Sequence, residues 1–305
     1  MMNLKNIYIL FFLALLASCE TTSDNTSSKP NIITTIGMIA DATENIVGDS
    51  ASVQALMGPG VDPHLYKATQ GDLQLLTEAD IIIYNGLHLE GKMGEVLEKL
   101  AHSKPVIAAA ETIPMNQRKQ SMAYTDAYDP HVWFDVSLWE IATQNINKQL
   151  QKLHPENAAY YQKNTEQYLI KLDSLHMSVK NEISTIPEAQ RTLITAHDAF
   201  EYFGTAYGMQ VRGLQGISTV SEFGLKDITE LADYIVAKQI KAVFIETSVS
   251  QKAIKAVVEG CSKRGFEVVI GGSLYSDAMG AAGTPEGTYI GMVSANVQTI
   301  VNALK

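Results

Sequence analysis

Seven histidines are spread over the 305 residues, and three stand in company that could hold a metal ion. Asp62-Pro63-His64 and Asp129-Pro130-His131 repeat one tripeptide. Proline fixes its own φ and drives the preceding Asp towards extended backbone, so each histidine sits on a stiff loop that preorganises it as a ligand. The third, in Ala196-His197-Asp198, directly follows the strand pattern Thr192 to Thr195. Loops at the carboxyl ends of strands are where open α/β sheets bind ligands. Asp277, in Ser273-Leu274-Tyr275-Ser276-Asp277, follows a further strand pattern that ends at Ile270. Singly these are weak, because one His is more often solvated and Asp-Pro is a common turn. Together they offer three imidazoles and a carboxylate, enough to complete a tetrahedral zinc site. Imidazole suits Zn, Cu, Fe and Ni, whereas a carboxylate draws a site towards harder ions such as Mn. Glu246 ends another strand pattern and could hold a ligand histidine in its tautomer. A helix N-terminal acid is the equally weighted bland reading.

The other four histidines get bland readings. His154 stands at a helix start, His176 mid-helix beside charged residues, and His102 at a helix end. His88, in Asn85-Gly86-Leu87-His88-Leu89-Glu90, follows a strand pattern and is the one of these that could line the site.

The elements that must position these residues alternate. Strand patterns at Ile32 to Ile36, Val53 to Met57, Ile81 to Tyr84 and Val106 to Ala109 are separated by helical ones at Ala40 to Gly48, Thr69 to Ala79 and Glu90 to Ala101. A second set begins near Arg191. It has strands at Thr192 to Thr195, Ala242 to Ile245 and Glu267 to Ile270, and helices at Ala199 to Tyr207, Leu225 to Gln239, Gln251 to Arg264 and Gly287 to Leu304. Such alternation predicts an α/β fold with parallel sheets in two βα lobes. Between the sets, His154-Pro155-Glu156 reads as a helix start. Ala158, Tyr161, Thr165, Tyr168, Leu172, Leu175, Val179 and Ile183 then recur at helical spacing until Pro187. Some thirty residues at 1.5 Å each make a rod of about 45 Å. Lobes joined by one long helix should move little against each other.

The amino terminus adds an address. After Lys5, Ile7 to Leu16 is apolar, and Leu16-Ala17-Ser18-Cys19 follows. That run is too short to span a bilayer but fits a signal-peptide core. The small residues before Cys19 read as a lipoprotein cleavage site, and Thr21 to Ser28 as a flexible tether. Cys261, the other of two cysteines, is expected to be a buried small hydrophobe, so neither a disulfide framework nor a cysteine metal site is expected. Twenty-three Lys+Arg against 33 Asp+Glu give a net charge of -10 with no basic run, which argues against nucleic acid as a partner. An acidic surface suits a protein that handles cations.

Gly58 to Tyr66 (GPGVDPHLY), Asp129 to Asp135 (DPHVWFD), Thr195 to Phe203 (TAHDAFEYF) and Tyr275 to Gly280 (YSDAMG) resemble, in order, the motifs of the cluster A-I solute-binding lipoproteins. These are the TroA/ZnuA-type receptors that feed zinc or manganese to ABC importers. The resemblance runs from about Ile32 to Leu304. It implies two lobes on one rigid backbone helix, with the metal in the cleft between them and His64, His131, His197 and Asp277 as ligands. At position 197 the family's manganese receptors often carry Glu. Unlike many zinc receptors, the chain has no His-rich loop between the two DPH motifs; Arg118-Lys119-Gln120 and polar neighbours stand there.

The expected organisation is a signal peptide over 1–18, a lipidated tether over 19–30, lobes over 31–153 and 188–305, and the backbone helix over 154–187. The expected protein is not an enzyme. It is a monomeric extracytoplasmic receptor, anchored through lipid on Cys19, that passes one divalent ion to an ABC importer permease and its ATPase. Three histidines favour Zn2+ over Mn2+. A zinc hydrolase would need an open metal position for water, and an adhesin with a structural metal is the other alternative. Ligand histidines must be neutral, so affinity is expected to fall below their usual pKa of about 6.5.

Overall fold

The computed structural model describes residues 29–120, 127–220 and 223–305. The signal sequence, most of the tether and Cys19 lie outside the described residues. The first half holds β1 (Asn31–Thr34), α1 (Gly37–Val47), β2 (Ser52–Ala55), α2 (Gln70–Glu78), β3 (Ile81–Tyr84), α3 (Gly94–Ala101) and β4 (Val106–Ala108). Its four strands form one parallel sheet in the order β2-β1-β3-β4. Ile32, Ile33, Ile81, Ile82 and Ile83 are buried, as strands covered on both faces must be. The direction of strand succession reverses between β1 and β3.

Two antiparallel helices follow, α4 (Val136–Leu153) and α5 (Ala158–Ser184). Of the eight positions in the predicted stripe, all but Ala158 are buried, and α5 runs 27 residues, about 40 Å. Helix α4 was not anticipated. Its buried Val136, Trp139, Ala142, Ile146 and Leu150 keep helical spacing, but buried Thr143, Asn145 and Asn147 interrupt the apolar pattern.

The second half holds β5 (Thr192–His197), α6 (Glu201–Tyr207), β6 (Gln210–Gln215), α7 (Leu225–Lys238), β7 (Ala242–Glu246), α8 (Lys252–Ser262), β8 (Val269–Leu274) and α9 (Tyr289–Leu304). Strands β5 and β6 pair in parallel, β7 and β8 likewise, and β5 packs beside β7. Strand β8 starts two residues later than its apolar pattern and runs four further, through Gly271 and Gly272. Glycines read as a turn, yet here they admit α9: a Cβ on Gly271 would lie 2.6 Å from that of Ala303.

A small core of Ile194, Leu231, Ile235, Val243, Ile254 and Cys261 lies under α7 and α8. The larger core is continuous from the first sheet through α4 and α5 to α6 and α9. Helix α5 therefore joins the lobes as one rigid backbone rather than as a hinge. No helix among the described residues is long and apolar enough to cross a membrane.

Candidate metal centre

Each Asp-Pro-His loop is closed by its own carboxylate. Asp62 Oδ1 accepts the His64 backbone N–H at 2.9 Å, and Asp129 Oδ1 accepts that of His131 at 2.9 Å. Proline sets the backbone and the Asp side chain completes the turn two residues on. The repeats then diverge. Asp129 Oδ1 also lies 2.7 Å from His131 Nδ1. Asp62 Oδ2 instead accepts the Thr219 hydroxyl of the other lobe at 2.6 Å.

His197 is the last residue of β5, and Glu246 the last of the neighbouring β7. One Glu246 oxygen accepts the His197 backbone N–H at 2.9 Å and the other lies 2.5 Å from Nδ1. That leaves Nε2 facing the cleft. Asp277 follows β8 by three residues. Its loop is tied by Asn296, which bonds Tyr275 N–H and C=O at 2.9 and 2.7 Å. From the other lobe, Trp133 Nε1 donates to Ser276 O at 3.1 Å.

Four side chains from both lobes thus converge. His64, His131, His197 and Asp277 are each at most 3% exposed, and their ligand atoms lie within 4.8 Å of one another. His64 Nε2 is 3.2 Å from His131 Nε2; Asp277 oxygens are 3.3 Å from His131 Nε2, 3.2 Å from His197 Nε2 and 3.9 Å from His64 Nε2. A tetrahedral ion with bonds of about 2.0–2.1 Å has ligand-to-ligand edges of about 3.3–3.4 Å. No well-formed hydrogen bond reaches His197 Nε2 or either Asp277 oxygen, although all three atoms are buried. A cation at the shared centre would satisfy them, so the donor set fits the ion.

The electrostatics separate the three imidazoles. Burial pushes His64 down to about 3; Asp277 opposes this, and the charges of His131 and His197 add to it. Burial also works against a charged His131, but Asp129 and Asp277 outweigh it and raise the ring to about 9. His197 is held well above its ordinary value by Glu246 and Asp277, again against burial. Asp277, despite burial, is held well below its ordinary value by His197 and His131.

The remaining histidines lie apart. His88, expected as a possible lining residue, is exposed, with φ 66, and is not among the four side chains that converge. His102 is exposed; His154 Nδ1 lies 3.2 Å from Glu156, and His176 Nδ1 3.1 Å from the Tyr207 hydroxyl. Sequence reasoning missed Asp129 as the carboxylate behind His131. The repeated tripeptide carried that signal, since an Asp two residues before a loop histidine can reach its ring as well as its N–H.

A family model described as "Zinc-uptake complex component A periplasmic" matches residues 32–303. The chain belongs to that family. Among its relatives, the manganese-binding lipoprotein MntA of Bacillus subtilis is 50% identical over 299 residues, covering 97% of each chain. The zinc-binding protein TroA of Treponema pallidum is 50% identical over 277 residues, 90% of this chain and 89% of TroA. A solved structure of that periplasmic zinc-binding TroA superposes with TM-score 0.87 at 49% identity, covering 90% of this chain and 99% of TroA. Zinc-uptake family membership and the two-lobe architecture therefore agree.

Proposed function

We propose that this chain is the extracytoplasmic receptor of a metal ABC importer, binding one Zn2+ in preference to Mn2+ and passing it to the permease that the importer's ATPase drives. In this reading His64, His131, His197 and Asp277 are the ligands and Glu246 holds His197. The lobes span 31–153 and 188–305 about the helix region 154–187, and the protein acts as a monomer held at the membrane by lipid on Cys19. The observation that carries the reading is the convergence of four buried side chains from both lobes, with their ligand atoms within 4.8 Å of one another. All four positions come from protein, which leaves none for the water a zinc hydrolase activates. The named relatives include one zinc and one manganese binder at equal identity, so the preference for zinc rests on the donor set of three imidazoles.

Calorimetric titration of metal-free protein tests the ligand set. His64→Ala is expected to weaken Zn2+ binding by a hundredfold or more, whereas His176→Ala leaves it unchanged. Equal affinities in the two variants would reject the assignment. Uptake in a deletion strain, with each metal supplied separately, tests the cargo: a defect relieved by manganese alone would reject zinc.

A further inference from the structure

We propose that Asn85 and Glu90 are positioning residues for the metal, acting on His131 through the Pro130 carbonyl; this rests on the receptor reading above. In open α/β sheets, ligands bind beyond the carboxyl ends of the strands where the order reverses. In the N-terminal sheet that place lies after β1 and β3, and a carboxylate of the chain itself occupies it. Glu90 is 3% exposed. Its Oε1 accepts the Thr35 hydroxyl at 2.7 Å and the Asn85 N–H at 2.8 Å, and its Oε2 accepts the Gly86 N–H at 3.3 Å. Thr35 and Asn85 are the residues that immediately follow β1 and β3.

A buried carboxylate is costly unless it is hydrogen-bonded, and left-handed backbone is costly for residues other than glycine. This segment carries both. Gly86, Leu87 and His88 have φ 84, 52 and 66 in succession. Beside them the Asn85 Nδ2 donates to Gly86 O at 3.1 Å and to Pro130 O at 3.0 Å. Pro130 C=O begins the peptide plane that leads into His131, and it also accepts Val132 N–H at 2.8 Å. Pinning that carbonyl fixes the backbone from which the His131 ring projects. Asp129 then sets the ring's rotation from the other side of the proline.

Asn85→Ala removes both Nδ2 bonds and leaves the backbone bond to Glu90 in place. It is expected to lower Zn2+ affinity about 10-fold to 100-fold, as loss of a ligand's support does elsewhere. The visible absorption spectrum of the Co2+-loaded protein, which reads ligand geometry, is expected to change with it. Glu90→Gln retains one acceptor oxygen and is expected to fall between this variant and the parent; it also serves should Asn85→Ala fail to fold. Asn145→Ala is the control. Asn145 is a buried asparagine that donates to Ala108 O and Ala109 O at 2.9 and 3.0 Å; it reaches the Asn85 backbone through the Ala110 N–H, which donates to Asn85 O at 3.0 Å, but it does not bond the Asn85 side chain or Pro130. It should lower thermal stability and leave affinity and spectrum unchanged. If Asn85→Ala and Glu90→Gln behave like Asn145→Ala, the positioning role is overturned and the receptor reading stands. Parent protein that takes up neither Zn2+ nor Co2+ would overturn the receptor reading instead.

Discussion

With His131 raised to about 9 and His197 well above its ordinary value, the metal-free centre favours the protonated form of these two rings, while burial favours neutral His64. A ligand nitrogen must give up its proton, so entry of a divalent cation is accompanied by proton release, which offsets part of the charge it brings. The sign follows: both pKa values lie above that of a free imidazole, so affinity climbs with pH through neutrality and levels off once pH passes them. Each displaced proton contributes about tenfold per pH unit. Weakening on acidification therefore sets in at higher pH than it would for free imidazoles, because Asp129 and Glu246 favour the protonated rings. Calorimetry in buffers of different ionisation enthalpy should detect protons released near pH 7; a count of zero would contradict it. Position 197 bears on the choice of ion. His197→Glu exchanges a borderline nitrogen for a hard oxygen that can bind through both atoms. The zinc-to-manganese affinity ratio is expected to drop in competition titrations, and an unchanged ratio would remove His197 from the centre. Local motifs made these residues legible in the sequence. Thr35, Asn85 and Glu90 were not, since only the fold brings Thr35 to Glu90 and the Asn85 amide to Pro130 O.

At the scale of elements, α4 and α5 place acids against each other. Glu140 on α4 is raised to about 7 by burial first, then by Asp173 on α5 and by Asp135. The folded state binds this proton more tightly than the unfolded chain, whose Glu titrates near 4.5. The site therefore costs nothing below that value, and the cost grows as pH rises and is complete above about 7. Glu140→Gln should raise the melting temperature at pH 8 and leave it unchanged at pH 4. Solvent screening holds the gain to about 1 kcal/mol, roughly 2–4 °C. Equal gains at both pH values would contradict the pairing. The same helices show what the sequence reveals of elements. The α5 stripe was readable because its buried side are nearly all apolar or aromatic. Helix α4 buries Asn145 and Asn147, whose partners are the end of β4, at Ala108 and Ala109, and Gln162. Strand β8 was misplaced because Gly271 and Gly272 serve the packing of α9, a demand no local pattern records.

Across the whole molecule, α5 is reinforced by bonds that cross the cleft. Tyr289 donates to Trp133 O at 2.6 Å, Trp133 to Ser276 O at 3.1 Å, Thr219 to Asp62 at 2.6 Å, and Tyr202 to Asp129 O at 3.0 Å. None of these contacts runs through a metal ion, and the larger core passes unbroken beneath them. The radius of gyration measured by small-angle scattering is expected to be the same for chelator-treated and zinc-loaded protein; a clear expansion on chelation would show a hinge that α5 should forbid. That stiffness has a consequence for traffic at the permease. A partner can favour the loaded form only by as much as its contacts differ between the two forms. If the outlines match, empty receptors queue at the same dock as full ones. Import at scarce metal is then set by the ratio of full to empty receptors, so making more receptor than there is metal to fill it slows supply.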